Sequence, residues 1–545
     1  MRRFVLALCL ALFSPLAAAV AQHAHAEYAA SARAPLFDNL GTLHHEITTR
    51  SRQAQAYFDQ GMRLTYGFNH EEAINSFEEG ARLDPDCAMC YWGVALALGP
   101  NINAAMDSAA EARALTAVRK AMARLSKASA TERAYIRALA SRYGPPGTPA
   151  DRARRDSAYA NAMRDVARAY PADVDAATLY AEALLDLRPW DQWTRGGEPQ
   201  PGTLEVVRTL EQVIARDPRH PGACHYYIHT VEASRNPERA LPCAERLPSL
   251  MPGAGHLVHM PAHIYSRLGM YDRAVAANEH AAHTDETYLE GRHPTGDYPF
   301  YYAHNLHFLW AASADDGRSG EALKAARELS GRIPVDLARQ VPIAQLLFPT
   351  PLYALVRFGR WNDVLNEPAP PPDLRYPVAM WHHARGLAYA ATGRLADAEA
   401  ERDSVASIRK ATPADLMFGN HSAARLLGIA EHMVSGRIAA ARGDYDGSVR
   451  ELREAVALED GLRYDEPPGW YNPPRQALGA VLLRAGRAAE AESVFREDLE
   501  INRENGWSLS GLTQALRAQG KDTTEVAARF QKSWARSDVA APPMW

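Results

Sequence analysis

The sequence predicts an all-α protein, a superhelix (α-solenoid) of stacked helix-turn-helix repeats. Three observations carry that prediction. Proline closes two consecutive units, Pro218 in "VIARDPRHPG" and Pro252 in "AERLPSLMPG", thirty-four residues apart. Ala240 and Ala274 keep the same interval. A histidine pair, His225 and His229, returns at that interval as His259 and His263. A fixed period of this length marks two-helix units that bury their apolar faces only by stacking on their neighbours.

The elements follow from the N-terminus. Arg2 and Arg3, an apolar run from Phe4 to Phe13, and Ala19-Val20-Ala21 read as a secretory signal peptide over residues 1–21, cleaved after Ala21. An uncleaved anchor is the alternative, and the Ser14-Pro15 break in the apolar run argues against it. No other stretch is long and apolar enough to span a bilayer. The expected location is therefore periplasmic or secreted. At 545 residues the chain exceeds one ordinary core, and 47% hydrophobic with 23% charged residues is ordinary for a soluble protein. The net charge is −5, or −7 (58 basic against 65 acidic groups) once Arg2 and Arg3 leave with the signal. Nothing in that balance points to a nucleic acid or an anionic membrane, which would want a basic surface.

Residues 22–53 read as an extended segment, followed by a first array over 54–365. In its first unit Tyr57, Gly61 and Leu64 mark one helix, Ala73 and Phe77 the next, Phe68-Asn69-His70 the turn between them, and Pro85 the end. Between Gly99 and Tyr170 helices are expected but the spacing is loose. Pro368, Pro370, Pro371, Pro372 and Pro377 cannot continue a helix and set a connection at 366–377. A second array over 378–536 carries Gly386, Tyr389, Gly393 and Ala398, then Gly436, Gly443 and Tyr445, then Gly479, Gly486, Ala491 and Phe495, with Trp507 and Gly511 opening a last unit. Tyr464–Pro474, "YDEPPGWYNPP", is a further break. Residues 537–545 read as a frayed tail. The whole amounts to about 9–12 helix pairs.

These small and aromatic positions resemble the tetratricopeptide repeat (TPR) superfamily, over most of residues 54–535. The opening "LGTLHHEITTRSRQAQAYFDQGMRL…LDPDCAMCYWGVALALGPNIN" is also similar to secreted bacterial TPR proteins without an assigned activity. The resemblance implies that one stripe of each first helix lines a concave groove, where a protein or peptide partner would lie.

Four cysteines follow the signal: Cys87, Cys90, Cys224 and Cys243. In an exported protein an even count permits disulfides. Cys87-x-x-Cys90 reads equally as a local disulfide, a redox pair, half a metal site, or two small apolar residues that happen to be close.

The chemistry of the chain concentrates in its histidines. Eleven of twenty lie between His220 and His307: His220, His225, His229, His256, His259, His263, His280, His283, His293, His304 and His307. Cys224, Tyr227, Ile228 and Val231 form the packing stripe of one helix, with His225, His229 and Glu232 on a second stripe beside it. Two histidines at i, i+4 chelate from one helical face. His225, His229, His259 and His263 are therefore the predicted metal ligands, with His256, His304 and His307 as additions sufficient for a second ion. Glu232, Tyr226 and Tyr265 are candidate outer partners. Pro261 complicates the second pair, because a helix starting there would leave His256 and His259 on a preceding loop. An imidazole-dominated set suits zinc, copper, nickel or iron and argues against calcium or magnesium, and the expected exported location points to copper or zinc among them. His382, His383, His44 and His45 are secondary candidates, His383 on the groove stripe of its repeat and His44 and His45 as solvated residues.

No H-E-x-x-H, G-x-S-x-G, phosphate-binding or dinucleotide glycine motif occurs, so no residue is assigned a catalytic role. Two readings stand. One is an exported interaction scaffold that holds a protein or peptide in its groove, with a His-rich metal site there or none. The other is a secreted metalloenzyme or metal-handling protein with its site over residues 225–307.

Overall fold

The computed structural model describes residues 34–545 apart from 146, 291–297 and 544, so the signal-peptide segment and His293 lie outside it. Among the described residues the chain is all-α, from Arg52–Tyr66 to Thr524–Ser533. The exception is a two-residue antiparallel ladder pairing Met417–Phe418 with His421–Ser422. It forms two compact units. The first runs up to Ile264 and adds Glu279–Tyr302, and the second takes Tyr265–Asn278 with Ala303–Trp545.

The first repeat shows why helix pairs form. The Ser51 side chain accepts from the Ala54 N–H and opens Arg52–Tyr66. Gly67 closes that helix, and Asn69 caps His70–Leu83, with Glu71 and Glu72 in its first turn against the positive helix end. Phe77 of the second helix wedges between Gly61 of the first and Gly93 of the next helix, Ala88–Ala97. A Cβ on either glycine would collide with its ring. In the second unit Phe495 sits in the same way between Gly479 and Gly511. Both triplets run at sixteen-residue steps. The same close approach, built from the same residue types, packs helix-turn-helix pairs in each unit.

The stretch with loose spacing is helical as expected. Capping boxes at Ser129/Glu132 and Thr148/Asp151 start Ala130–Ala140 and Pro149–Ala169. The Pro-rich connection lies within the second unit, where the Trp381 indole donates to the Glu367 carbonyl at 3.0 Å. Pro377 falls inside the first turn of Arg375–Ala391 rather than before it, at a position where a missing N–H costs no helical bond. Tyr464–Pro473 is irregular, as its prolines predict.

Both cysteine pairs are disulfides, Cys87–Cys90 and Cys224–Cys243. The second ties the helix Pro221–Val231 to Leu241–Leu250. The segment before the first helix is strapped down by side chains. Thr48 bonds Glu132 through its N–H and its hydroxyl, both at 2.6 Å, and the Tyr57 hydroxyl donates to the Ala34 carbonyl at 2.7 Å.

Candidate metal centre

The helix Pro221–Val231 begins with an unusual cap. Its N-cap residue is His220, whose Nδ1 accepts from the Ala223 N–H at 3.1 Å. The proton is therefore on Nε2, which donates to Asp175 Oδ1 at 3.0 Å. Gly222 lets this first turn lie against the Tyr66 ring, where a Cβ would collide. The register of the helix is thus set against the first repeat before the first metal-type ligand appears.

From that start His225, His229 and Glu232 fall on one face. His225 donates from Nδ1 to the Tyr66 carbonyl at 2.7 Å, which leaves Nε2 with its lone pair, hydrogen-bonded to His256 Nε2 at 3.1 Å. His229 Nδ1 bonds Glu232 Oε1 at 3.1 Å, and its buried Nε2 has no hydrogen-bond partner. Glu232 Oε2 takes His263 Nδ1 at 2.5 Å, and His263 Nε2 stands 2.8 Å from His259 Nε2. One carboxylate thus fixes two imidazoles by their δ nitrogens, which is how outer carboxylates orient histidine ligands around a metal. The ligand atoms of His225, His229 and His256 lie within 4.8 Å of one another, as do those of His229, Glu232 and His263. Tetrahedral Zn–N bonds of ~2.0–2.1 Å place donor nitrogens ~3.3 Å apart, close to the His225–His256 separation. Both groups could hold a transition metal.

The electrostatics favour ligand forms. Burial, aided by His229, pushes His225 well below the usual imidazole range, and burial lowers His229. Neutral imidazole is the form that binds metal. Burial alone would raise the Glu232 carboxyl, but His263 and His229 overcome it and hold it at about 2.

The five histidines are core residues, 0–3% exposed, where an open groove lining was expected. The covering comes from elsewhere in the first unit. The Phe68 ring lies 4.5 Å from His225, 5.4 Å from His256 and 6.1 Å from His229, centroid to centroid. Trp190 meets His229 edge-on at 5.6 Å, and Tyr301 lies 4.7 Å from His256. Phe68 and Trp190 have φ of 58° and 57°; among the described non-glycine residues only Glu504 shares that left-handed conformation. Such backbone costs roughly 1–2 kcal/mol per residue and persists where surrounding structure enforces it. Two of the three instances among the described residues put an aromatic ring on His229.

Pro261 does break the second pair's helix. His256 and His259 stand on a single turn, Gly255–His259, and Pro261 opens Pro261–Arg267, which carries His263. The helical-face argument fails there, because proline has no N–H with which to continue the ladder. The two rings meet nonetheless, across the break. His304 and His307 stand on Tyr298–Asp315, in the part that belongs to the second unit. There His304 is edge-on to Phe308 at 6.0 Å, and His307 lies flat on Trp310 at 5.7 Å.

The secondary histidines are structural. His383 is buried rather than groove-facing, with Nδ1 donating to the Ala430 carbonyl at 2.9 Å and Nε2 2.8 Å from the Tyr471 hydroxyl. His382 pairs with Glu401, and His44 with Asp59 at 2.7 Å. His45, expected to be solvated, reaches Asp175 at 2.7 Å, and the same carboxylate also holds Tyr66 at 2.6 Å and His220. Sequence reasoning missed this Asp175 hub and the Phe68 and Trp190 covers. The aromatic Phe68 in a turn was their one visible trace.

No family model matches the chain, and no curated protein matches it. Solved structures similar to it are helical-repeat proteins. The APC/C hetero-tetramer Cut9–Hcn1 is 13% identical over 86% of this chain and 79% of that chain, TM-score 0.32. Human IFIT1, as a dimer with m7Gppp-AAAA, is 12% identical over 89% and 90%, TM-score 0.32. Yeast Tom70 is 12% identical over 89% and 93%, TM-score 0.28.

Proposed function

We propose that this chain is an exported metalloprotein whose helical repeats are the scaffold for a buried histidine centre that binds zinc or copper. The observation that carries the reading is His229. Its Nε2 is buried without a hydrogen-bond partner beside the Nε2 lone pair of His225, while the δ nitrogens of both rings are fixed. Burying unpaired imidazole nitrogen is costly unless something binds it. His256 completes the nitrogen set, with Glu232, His263 and His259 behind it. When bound, the metal would supply Lewis acidity at a dry site. The chain's own residues orient the donors, keep them neutral and exclude water. The two disulfides support export to an oxidising compartment, as does the Arg2-Arg3 and apolar segment. No helix among the described residues is long and apolar enough to cross a membrane.

The test is metal content of the protein purified without a histidine tag. At least one zinc or copper per chain is expected, lost in His225→Ala and in His229→Ala. Metal well below one per chain, unchanged by either substitution, refutes the reading.

A further inference from the structure

A cavity of about 490 Å3 adjoins the histidine cluster within the first unit, and its size is that of a small-molecule site. Gly67 and Asn69 line this cavity on either side of Phe68, and His256 lines it as well. The Phe68 turn and the His256 ring therefore form the partition between cavity and cluster. The left-handed backbone at Phe68 turns its ring to the histidine side while its two neighbours face the cavity.

The lining defines the guest. Phe37, Tyr288 and Tyr298 form an aromatic wall, with centroids 6.1 Å apart for Phe37–Tyr288 and 4.5 Å for Tyr288–Tyr298. Both tyrosine hydroxyls are engaged away from the cavity. Tyr288 donates to Glu72 at 3.1 Å and Tyr298 to Asp285 at 2.7 Å, so the wall offers ring surface. Asn39 and Asn69 supply hydrogen-bonding groups around it, whereas the Thr284 and Thr287 hydroxyls at the rim donate to the His280 and His283 carbonyls, each at 2.9 Å. Among the described lining residues Asp38 is the one carboxylate and there is no lysine or arginine; besides the titratable His256 and His283, no basic group stands there to hold a carboxylate or phosphate.

We infer that this cavity is the ligand chamber of the metal centre and takes an uncharged aromatic small molecule. Its ring packs on Tyr288 and Tyr298, and its polar atom reaches past His256 to the metal. The inference rests on the metal reading above. Zinc-type sites with three protein ligands keep a position for an exogenous ligand, and ring packing with apolar burial supplies the selectivity.

The experiment uses the cobalt(II)-substituted protein, its visible spectrum titrated with imidazole and with 4-phenylimidazole. The two probes share a metal-binding nitrogen and differ by the phenyl group. 4-Phenylimidazole should bind about tenfold tighter or more. That advantage should disappear in Thr287→Trp and in Thr284→Trp, with cobalt content and imidazole affinity unchanged. Thr287 is exposed, so its replacement fills the cavity from the rim and leaves the core intact. Cobalt retained with no preference for the phenyl probe, or a preference that survives both tryptophans, overturns the chamber and leaves the metal centre standing. A protein that takes up no cobalt overturns both.

Discussion

Phe68 concentrates the physics of the site in one residue. Its ring covers three histidines, and its backbone adopts a conformation that suits glycine. The two effects can be separated by substitution. Phe68→Ala removes the ring but keeps the left-handed penalty, and should lower the unfolding free energy by about 3–5 kcal/mol, the usual loss for a buried phenylalanine. Phe68→Gly removes both, so it should be about 1 kcal/mol more stable than the alanine variant. Urea titration of the two variants decides; equal stability would mean the backbone at residue 68 is not strained. Glu232 acts differently, by orienting His229 and His263 through their δ nitrogens. Glu232→Gln keeps the shape but lacks the charge, and should weaken metal affinity about 10–100-fold, the range seen for outer-shell partners. Chelator competition measures this, and unchanged affinity would remove Glu232 from the centre.

At the scale of elements, glycine–phenylalanine crossings hold the repeats together. Gly93→Ala would drive a methyl into Phe77, and Gly511→Ala would do the same to Phe495. Each should cost about 1–3 kcal/mol, as overpacking does, whereas Gly393→Ala meets open space and is penalised only for its φ of 79°. Thermal denaturation of the three variants checks the ranking. Gly61, Phe77, Gly479, Phe495 and Gly511 were legible in the sequence as repeat positions because small and aromatic residues recur at fixed spacing within one repeat, whereas Gly93 and the wedging of each ring between two glycines were not. His225, His229 and Glu232 were legible too, because the i, i+4, i+7 pattern is a property of one helix. What was not legible came from contacts between distant segments. His225 takes its tautomer from the Tyr66 carbonyl, 159 residues away, and His45 finds Asp175 across 130. Periodicity places residues on a face but does not say what covers that face. The histidines therefore read as a groove lining when they are in fact core. The Pro261 break was anticipated as a possibility, and its consequence was not, since two rings from different turns still meet.

For the whole molecule the consequence is sensitivity to acid. Burial holds His70, His307 and His383 at about 4, and lowers His225 and His229 as well. An unfolded histidine titrates near 6.5. At these rings the folded state therefore binds fewer protons than the unfolded one between about pH 6.5 and 4. The stability tied to each neutral ring is fully present above 6.5 and is lost as pH falls through that window. A ring held at about 4 gives up about 2 kcal/mol by pH 5. His45 runs the other way. Its burial disfavours the charge, but the Asp175 contact outweighs it and raises the group, so its contribution is present at low pH and lost as pH rises. Asp175 is held far below the ordinary carboxylate range against its own burial, by His220 and His45, and so gives up its share only in stronger acid. Burial raises Asp186 and Asp316 to about 6, so these two carboxyls also gain protons in the folded state and offset part of the loss at the five lowered rings. In urea titrations of the metal-free protein between pH 7 and pH 5, each ring held at about 4 should therefore contribute a loss of about 2 kcal/mol. His383→Gln should shrink the difference between the two pH values by about 2 kcal/mol, because glutamine in the same pocket has no proton to gain. A pH dependence identical to that of the unsubstituted chain would show that His383 is not held neutral by its burial.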